Sequence, residues 1–151
     1  MKFSQGQLGR VFVVRLEDGD RLPEALEQFA AAQNIAVAQV ILVGGIGSGE
    51  VVVGPRHSDR MPPDPMTVPL DGAHEVAAVG VIAPTGAERK PVLHIHGAMG
   101  RSGKTTAGCL REGVNTWMVG EAIVIEVTGT AAARVLDDAT GFTLLEPGGE
   151  A

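Results

Sequence analysis

The sequence predicts an α+β fold, a mostly antiparallel β-sheet packed with one main helix. Three observations lead there. Short segments rich in Val, Ile and other apolar residues recur along the whole chain. Only one stretch carries apolar residues at helical spacing. Finally, 21 glycines and 9 prolines among 151 residues make turns frequent and strands short. Many short strands with one good helix are the pattern of this class.

Leu8 to Leu16 reads as a first strand, rich in β-branched residues. The turn Glu17-Asp18-Gly19-Asp20 follows, with Asp20 as the expected helix N-cap. Pro23 falls in the first helical turn, where its missing N–H does no harm. Leu22, Ala25, Leu26, Phe29 and Ala30 then form one apolar stripe, and Asn34 ends the helix. Ala36 to Val43 is a continuous apolar strand broken only by Gln39, followed by a glycine-rich turn from Gly44 to Gly49. Glu50 to Gly54 is a short strand. Pro55 to Pro69 carries five prolines and is expected to be a long loop. Glu75 to Ile82, Val92 to Ala98 and Ala122 to Thr128 are further strands, and Ala132 to Leu136 with Phe142 to Leu145 form a closing hairpin. Residues 1–146 are expected to make one domain, and 147–151 a flexible tail.

Chemistry concentrates in one place. In Leu93-His94-Ile95-His96-Gly97, strand alternation puts His94 and His96 on the same face. Gly100-Arg101-Ser102-Gly103-Lys104 has turn composition. Reversal about Ser102-Gly103 sets Cys109 opposite His96, with Cβ atoms about 5 Å apart. Two imidazoles and a thiol then converge as three candidate metal ligands, with room for a fourth. A buried cysteine acting only as a small hydrophobe is the plain alternative. His57 reads as a solvated loop residue, and His74 or Glu75 could border the same pocket.

Two stretches imitate nucleotide sites. Ala98-Met99-Gly100-Arg101-Ser102-Gly103-Lys104-Thr105 resembles a phosphate-binding loop, but such a loop must open a helix, and Gly108 and Gly113 in the nine residues from Thr105 weaken one by about 1 kcal/mol each. The glycines at 44, 45, 47 and 49 lack dinucleotide-site spacing and read as a tight turn or a close backbone contact.

Composition sets further bounds. A formal net charge of −6, with no dense Lys/Arg run, argues against direct DNA binding. No apolar stretch reaches the roughly 18 residues of a membrane span, and Met1 to Gly6 has no apolar signal region. The single cysteine precludes an internal disulfide and fits a cytoplasmic location.

From Arg15 to about Leu145 the order of segments resembles the plants-and-prokaryotes-conserved (PPC) domain, in its stand-alone prokaryotic form. The carrying residues are the helix Leu22 to Ala32, Val40-Ile41-Leu42-Val43-Gly44-Gly45-Ile46-Gly47-Ser48, Gly72 to Ala77, Leu93-His94-Ile95-His96, and Ala107-Gly108-Cys109-Leu110-Arg111-Glu112-Gly113. The resemblance implies an antiparallel sheet with a helix, assembled as a homotrimer. It also implies association with other proteins, with prokaryotic members provisionally labelled DNA-binding and some metal-binding. His94 and His96 match the family's metal-binding histidines, whereas the family usually has a histidine where Cys109 stands. A thiolate there keeps zinc feasible and favours it over harder ions. Gly72-Ala73-His74-Glu75-Val76-Ala77 keeps the glycine and glutamate of the plant interaction motif Gly-Arg-Phe-Glu-Ile-Leu but loses its arginine and phenylalanine. No Arg-Gly-Arg-Pro hook is present.

Two functional expectations follow. One is a homotrimeric binding or regulatory module holding zinc or another divalent transition metal at His94, His96 and Cys109. The alternative is a zinc hydrolase-like enzyme of unknown substrate, with Glu75 or Glu112 as general base. A metal-free Cys109–His96 nucleophile and base pair ranks below both.

Overall fold

Strand alternation builds the sheet, and the computed structural model describes it over residues 1–111 and 113–148. In chain order the elements are β1 (Gln7–Glu17), α1 (Leu22–Ala32), β2 (Ala38–Ser48), β3 (Glu50–Pro55), β4 (Pro65–Pro69), β5 (His74–Thr85), β6 (Lys90–Arg101), β7 (Lys104–Leu110), β8 (Asn115–Thr128), β9 (Ala133–Asp137) and β10 (Phe142–Glu146). The strands lie in the order β1-β8-β2-β5-β6-β7-β3-β4, every neighbouring pair antiparallel. The β9–β10 hairpin hangs off this path, joined to β5 by one parallel bridge, Thr85–Arg134. Because β1 and β2 both run antiparallel to β8 between them, α1 crosses between parallel strands split by a third.

One face of the sheet is buried beneath the helix. Leu22, Leu26 and Ala30 of α1 pack into one core with Val40 and Leu42 of β2, Val76, Ala78 and Ile82 of β5, and Leu93, Ile95 and Met99 of β6. Glu27 accepts a hydrogen bond from Leu93 N (2.8 Å), and Arg10 donates to Gln33 O (2.9 Å) just past the helix end. Phe12 of β1 meets Phe29 of α1 edge-on at 5.3 Å.

The opposite face is apolar yet uncovered. Val13, Ile123, Ile41 and Val79 stand in register across β1, β8, β2 and β5. They are 84%, 36%, 41% and 54% exposed. The helix thus accounts for only half of the hydrophobicity that makes β2 read as a continuous apolar run.

Several local expectations are corrected. The helix N-cap is Arg21, without a side-chain cap bond, because the Asp20 carboxylate is used to accept Glu17 N (2.9 Å) and close the preceding turn. Asn34, with φ of 55°, supplies the left-handed residue after the helix that favours Gly or Asn. Pro65 to Pro69 is strand β4 rather than loop, an edge strand in which proline costs no ladder donor on its free side. Gly44 to Ser48 continues β2 rather than turning, because the absence of side chains at Gly44 and Gly45 lets the Val119 and Trp117 backbone of β8 press against it. No helix among the described residues is long and apolar enough to cross a membrane.

Candidate metal centre

The β6–β7 hairpin creates the site. Ser102 and Gly103 both have positive φ (50° and 75°), the geometry of a two-residue hairpin turn matched to strand twist. The register then sets His96 opposite Cys109. Thr105 lies in strand β7, so the loop-like motif at 98–105 opens no helix and offers no row of amides to a phosphate.

The open-face row described above continues through this site, from Val79 to His96, Cys109 and Val52. His94 sits two residues before His96, beside Val81. The two Nε2 atoms are 3.0 Å apart and the rings cross at 87° with centroids at 4.8 Å. His94 and His96 are exposed, whereas Cys109 is 3% exposed. The ligating atoms of all three lie within 4.8 Å of one another.

This donor set fits a tetrahedral transition metal. Zinc–nitrogen bonds of about 2.0–2.1 Å hold two imidazole nitrogens about 3.3 Å apart, close to the spacing found here. Any donor contact near the 4.8 Å limit has to shorten by about an ångström, within reach of side-chain rotation. Although His94 is exposed, partial desolvation by the protein around its ring lowers its pKa, helped by the neighbouring His96 and by the cations Arg134 and Arg111. The neutral imidazole, the form that ligates, is therefore favoured. Burial raises the pKa of the Cys109 thiol, opposed by the same two arginines. A metal there must displace that proton.

The other sequence candidates do not join. His74 belongs to the alternate set of β5 residues, facing away from the pair, and its Nδ1 lies 2.7 Å from Gly72 O. His57 is exposed between β3 and β4. Glu75 shares the open face but pairs with Gly100, four residues along β5 from Val79, roughly 13 Å away. Glu112 lies outside the described residues. The hydrolytic reading is left without a base among the described carboxylates it named.

Sequence reasoning missed Arg134. Distant in the chain, it reaches the cluster because β9 bridges to the end of β5, and its Nη2 donates to Val81 O at 3.1 Å. Nothing local to Arg134 signals this, since the placement depends on a single bridge.

Solved structures share this fold. The metal-containing protein of Archaeoglobus fulgidus is 24% identical, with a TM-score of 0.80 over 95% of this chain and 98% of its own. A plant- and prokaryote-conserved (PPC) protein of Pyrococcus horikoshii is 22% identical, with a TM-score of 0.83 over 97% of each chain. A Bacteroides thetaiotaomicron protein, provisionally labelled DNA-binding, is 18% identical, with a TM-score of 0.73 over 95% of this chain and 98% of its own. At these identities the likeness establishes the fold alone. No curated protein matches the chain significantly. The family model of the Plants and Prokaryotes Conserved (PCC) domain matches residues 3–128, most of the chain, and with the shared fold this places the protein in that family.

Proposed function

We propose that this chain is a self-associating binding or regulatory module, a homotrimer, in which His94, His96 and Cys109 hold a divalent transition metal, zinc foremost. The observation that carries the metal reading is the convergence of two imidazole nitrogens from β6 and one thiol sulfur from its neighbour β7 within 4.8 Å. Such a centre cross-braces β6 and β7 and leaves a coordination position for a ligand. The metal-containing relative from Archaeoglobus fulgidus supports the reading.

Self-association is supported by the uncovered apolar row Val13–Ile123–Ile41–Val79, which is unusual for a free monomer surface. The number of three rests on the family resemblance. With a formal charge of −6, the chain works through protein and small-molecule partners rather than by gripping a phosphate backbone.

Elemental mass spectrometry on untagged protein tests the metal. The expected result is about one zinc per chain, lost in both His94→Ala and Cys109→Ser. Absence of metal after reconstitution, or undiminished occupancy in Cys109→Ser, overturns the assignment. Light scattering tests assembly: Ile41→Glu should convert a particle of three 15.6-kDa chains to a single chain. A monomeric wild type refutes it.

A further inference from the structure

Among the described residues, Arg134 is a buried cation with no carboxylate paired to it. It is 8% exposed, in a chain with 18 acidic residues. Val81 O takes one of its five N–H donors, and among the described residues its buried Nε has no hydrogen-bond partner. Arg10 provides the contrast. Its guanidinium is half exposed, yet it is matched by two bonds to Glu126, Nε to Oε2 at 2.7 Å and Nη2 to Oε1 at 2.9 Å. Burying a guanidinium is costly unless its donors are satisfied by an anion or by several acceptors. At Arg134, among the described residues, a single backbone carbonyl does that work.

The surroundings are cationic as well. Among the described residues, the charges acting on His94 and Cys109 include both Arg134 and Arg111 and no acidic group. Two neutral imidazoles and one thiolate leave a bound divalent metal with a net charge of about +1, and the two arginines raise the local total further. In a chain of net charge −6, the described residues here make a local inversion of sign.

We propose that Arg134 forms, next to the open coordination position of the metal centre, a subsite for an oxyanion, a carboxylate or phosphate group carried by a small molecule. The subsite rests on the metal reading above and names its ligand class: an acidic small molecule, held by guanidinium donors whose planar fork suits paired oxygens. Neutral ligands would leave Arg134 as it stands, buried and under-satisfied. Arg111, exposed at the mouth, adds attraction but little anchoring.

Cobalt(II) in place of zinc gives a visible spectrum that reports coordination directly. Cobalt-loaded wild type, Arg134→Gln and Arg134→Lys would be titrated with acetate and with inorganic phosphate, and cobalt content measured in each. Wild type is expected to show a saturable spectral change with at least one anion, which tells a carboxylate site from a phosphate site. Arg134→Gln should bind that anion about ten- to hundredfold more weakly at unchanged cobalt content. Arg134→Lys, which keeps the charge but loses the fork, should fall between and serves if the glutamine variant does not fold. Full cobalt loading with no anion response in wild type overturns the subsite and leaves the metal reading standing. Equal anion affinity in all three proteins also overturns it. Failure to load cobalt at all refutes the metal reading, and the subsite with it.

Discussion

Gly108→Ala is the substitution that most directly links packing to the site. Gly108 precedes Cys109 on β7, and a methyl group there would fall inside the contact radius of Val52 O and 2.8 Å from Val51 Cγ1. Both neighbours belong to β3, which pairs with β7 through only Val51–Leu110 and Val52–Cys109. The obstacle is backbone, so β3 has to retreat by about an ångström, at an expected cost of about 1–3 kcal/mol for an overpacked contact. Cys109 then loses the neighbour that closes one side of it. As the only cysteine in the chain, it is its own reporter. The rate of thiol modification by a disulfide reagent, on metal-free protein below any unfolding transition, measures the open population. If opening is at equilibrium, that cost multiplies the rate about five- to 150-fold. An unchanged rate in a protein whose melting temperature has fallen would refute the claim that β3 shields Cys109. An unchanged rate and melting temperature would refute the close approach itself.

Three further outcomes follow from other parts of the molecule. Glu126, 9% exposed, accepts Arg10 N, Nε and Nη2, and these bonds hold its carboxyl pKa near 2 against an ordinary 4.5. Its stabilisation is complete above about pH 4.5 and is lost as pH falls toward 2, so Glu126→Gln should cost about 1–2 kcal/mol at pH 7, after screening at the half-exposed guanidinium, and almost nothing near pH 2. Urea titrations of both proteins across that range decide it, and parallel stability curves would sink the idea. Metal affinity should weaken about tenfold for each unit that pH falls from 8.5 to 6.5, because the Cys109 proton, raised by burial, must leave on binding; competition with a chromogenic chelator measures the slope, and a flat profile excludes the thiolate as ligand. Leu26, fully buried between α1 and the sheet, should cost about 3 kcal/mol when cut to alanine, read as a lower urea midpoint at unchanged slope.

How much of this was legible depended on how local each feature is. The pairing of His96 with Cys109 was readable because it needs only two-residue alternation and a turn of defined chemistry at Ser102-Gly103. The helix was readable from its stripe, and its end from Asn34. Its N-cap was not, since Asp20 had a competing backbone donor at Glu17 that composition does not reveal. β4 was hidden by Pro65 and Pro69, which argue against a strand except at an edge, and edges are known only once the sheet is assembled. Arg134 was hidden for the same reason, as its position depends on where β5 outruns β2 and leaves Thr85 free to pair.

The outer face shows the same limit and gives it functional meaning. A run such as Val40-Ile41-Leu42-Val43 is consistent with a strand buried on both faces, and α1 supplies only one cover. The register that leaves Ile41 and Val79 bare is the register that carries on to His96 and Cys109. Exposed apolar residues and candidate metal ligands therefore occupy one continuous row on one side of the sheet. Strand pairing alone fixes this adjacency, so a partner copy seated on Ile41 and Val79 would form a wall beside His96. On the proposed reading, the site's access and polarity would then depend on assembly, and the proposed metal and interface would be parts of one surface.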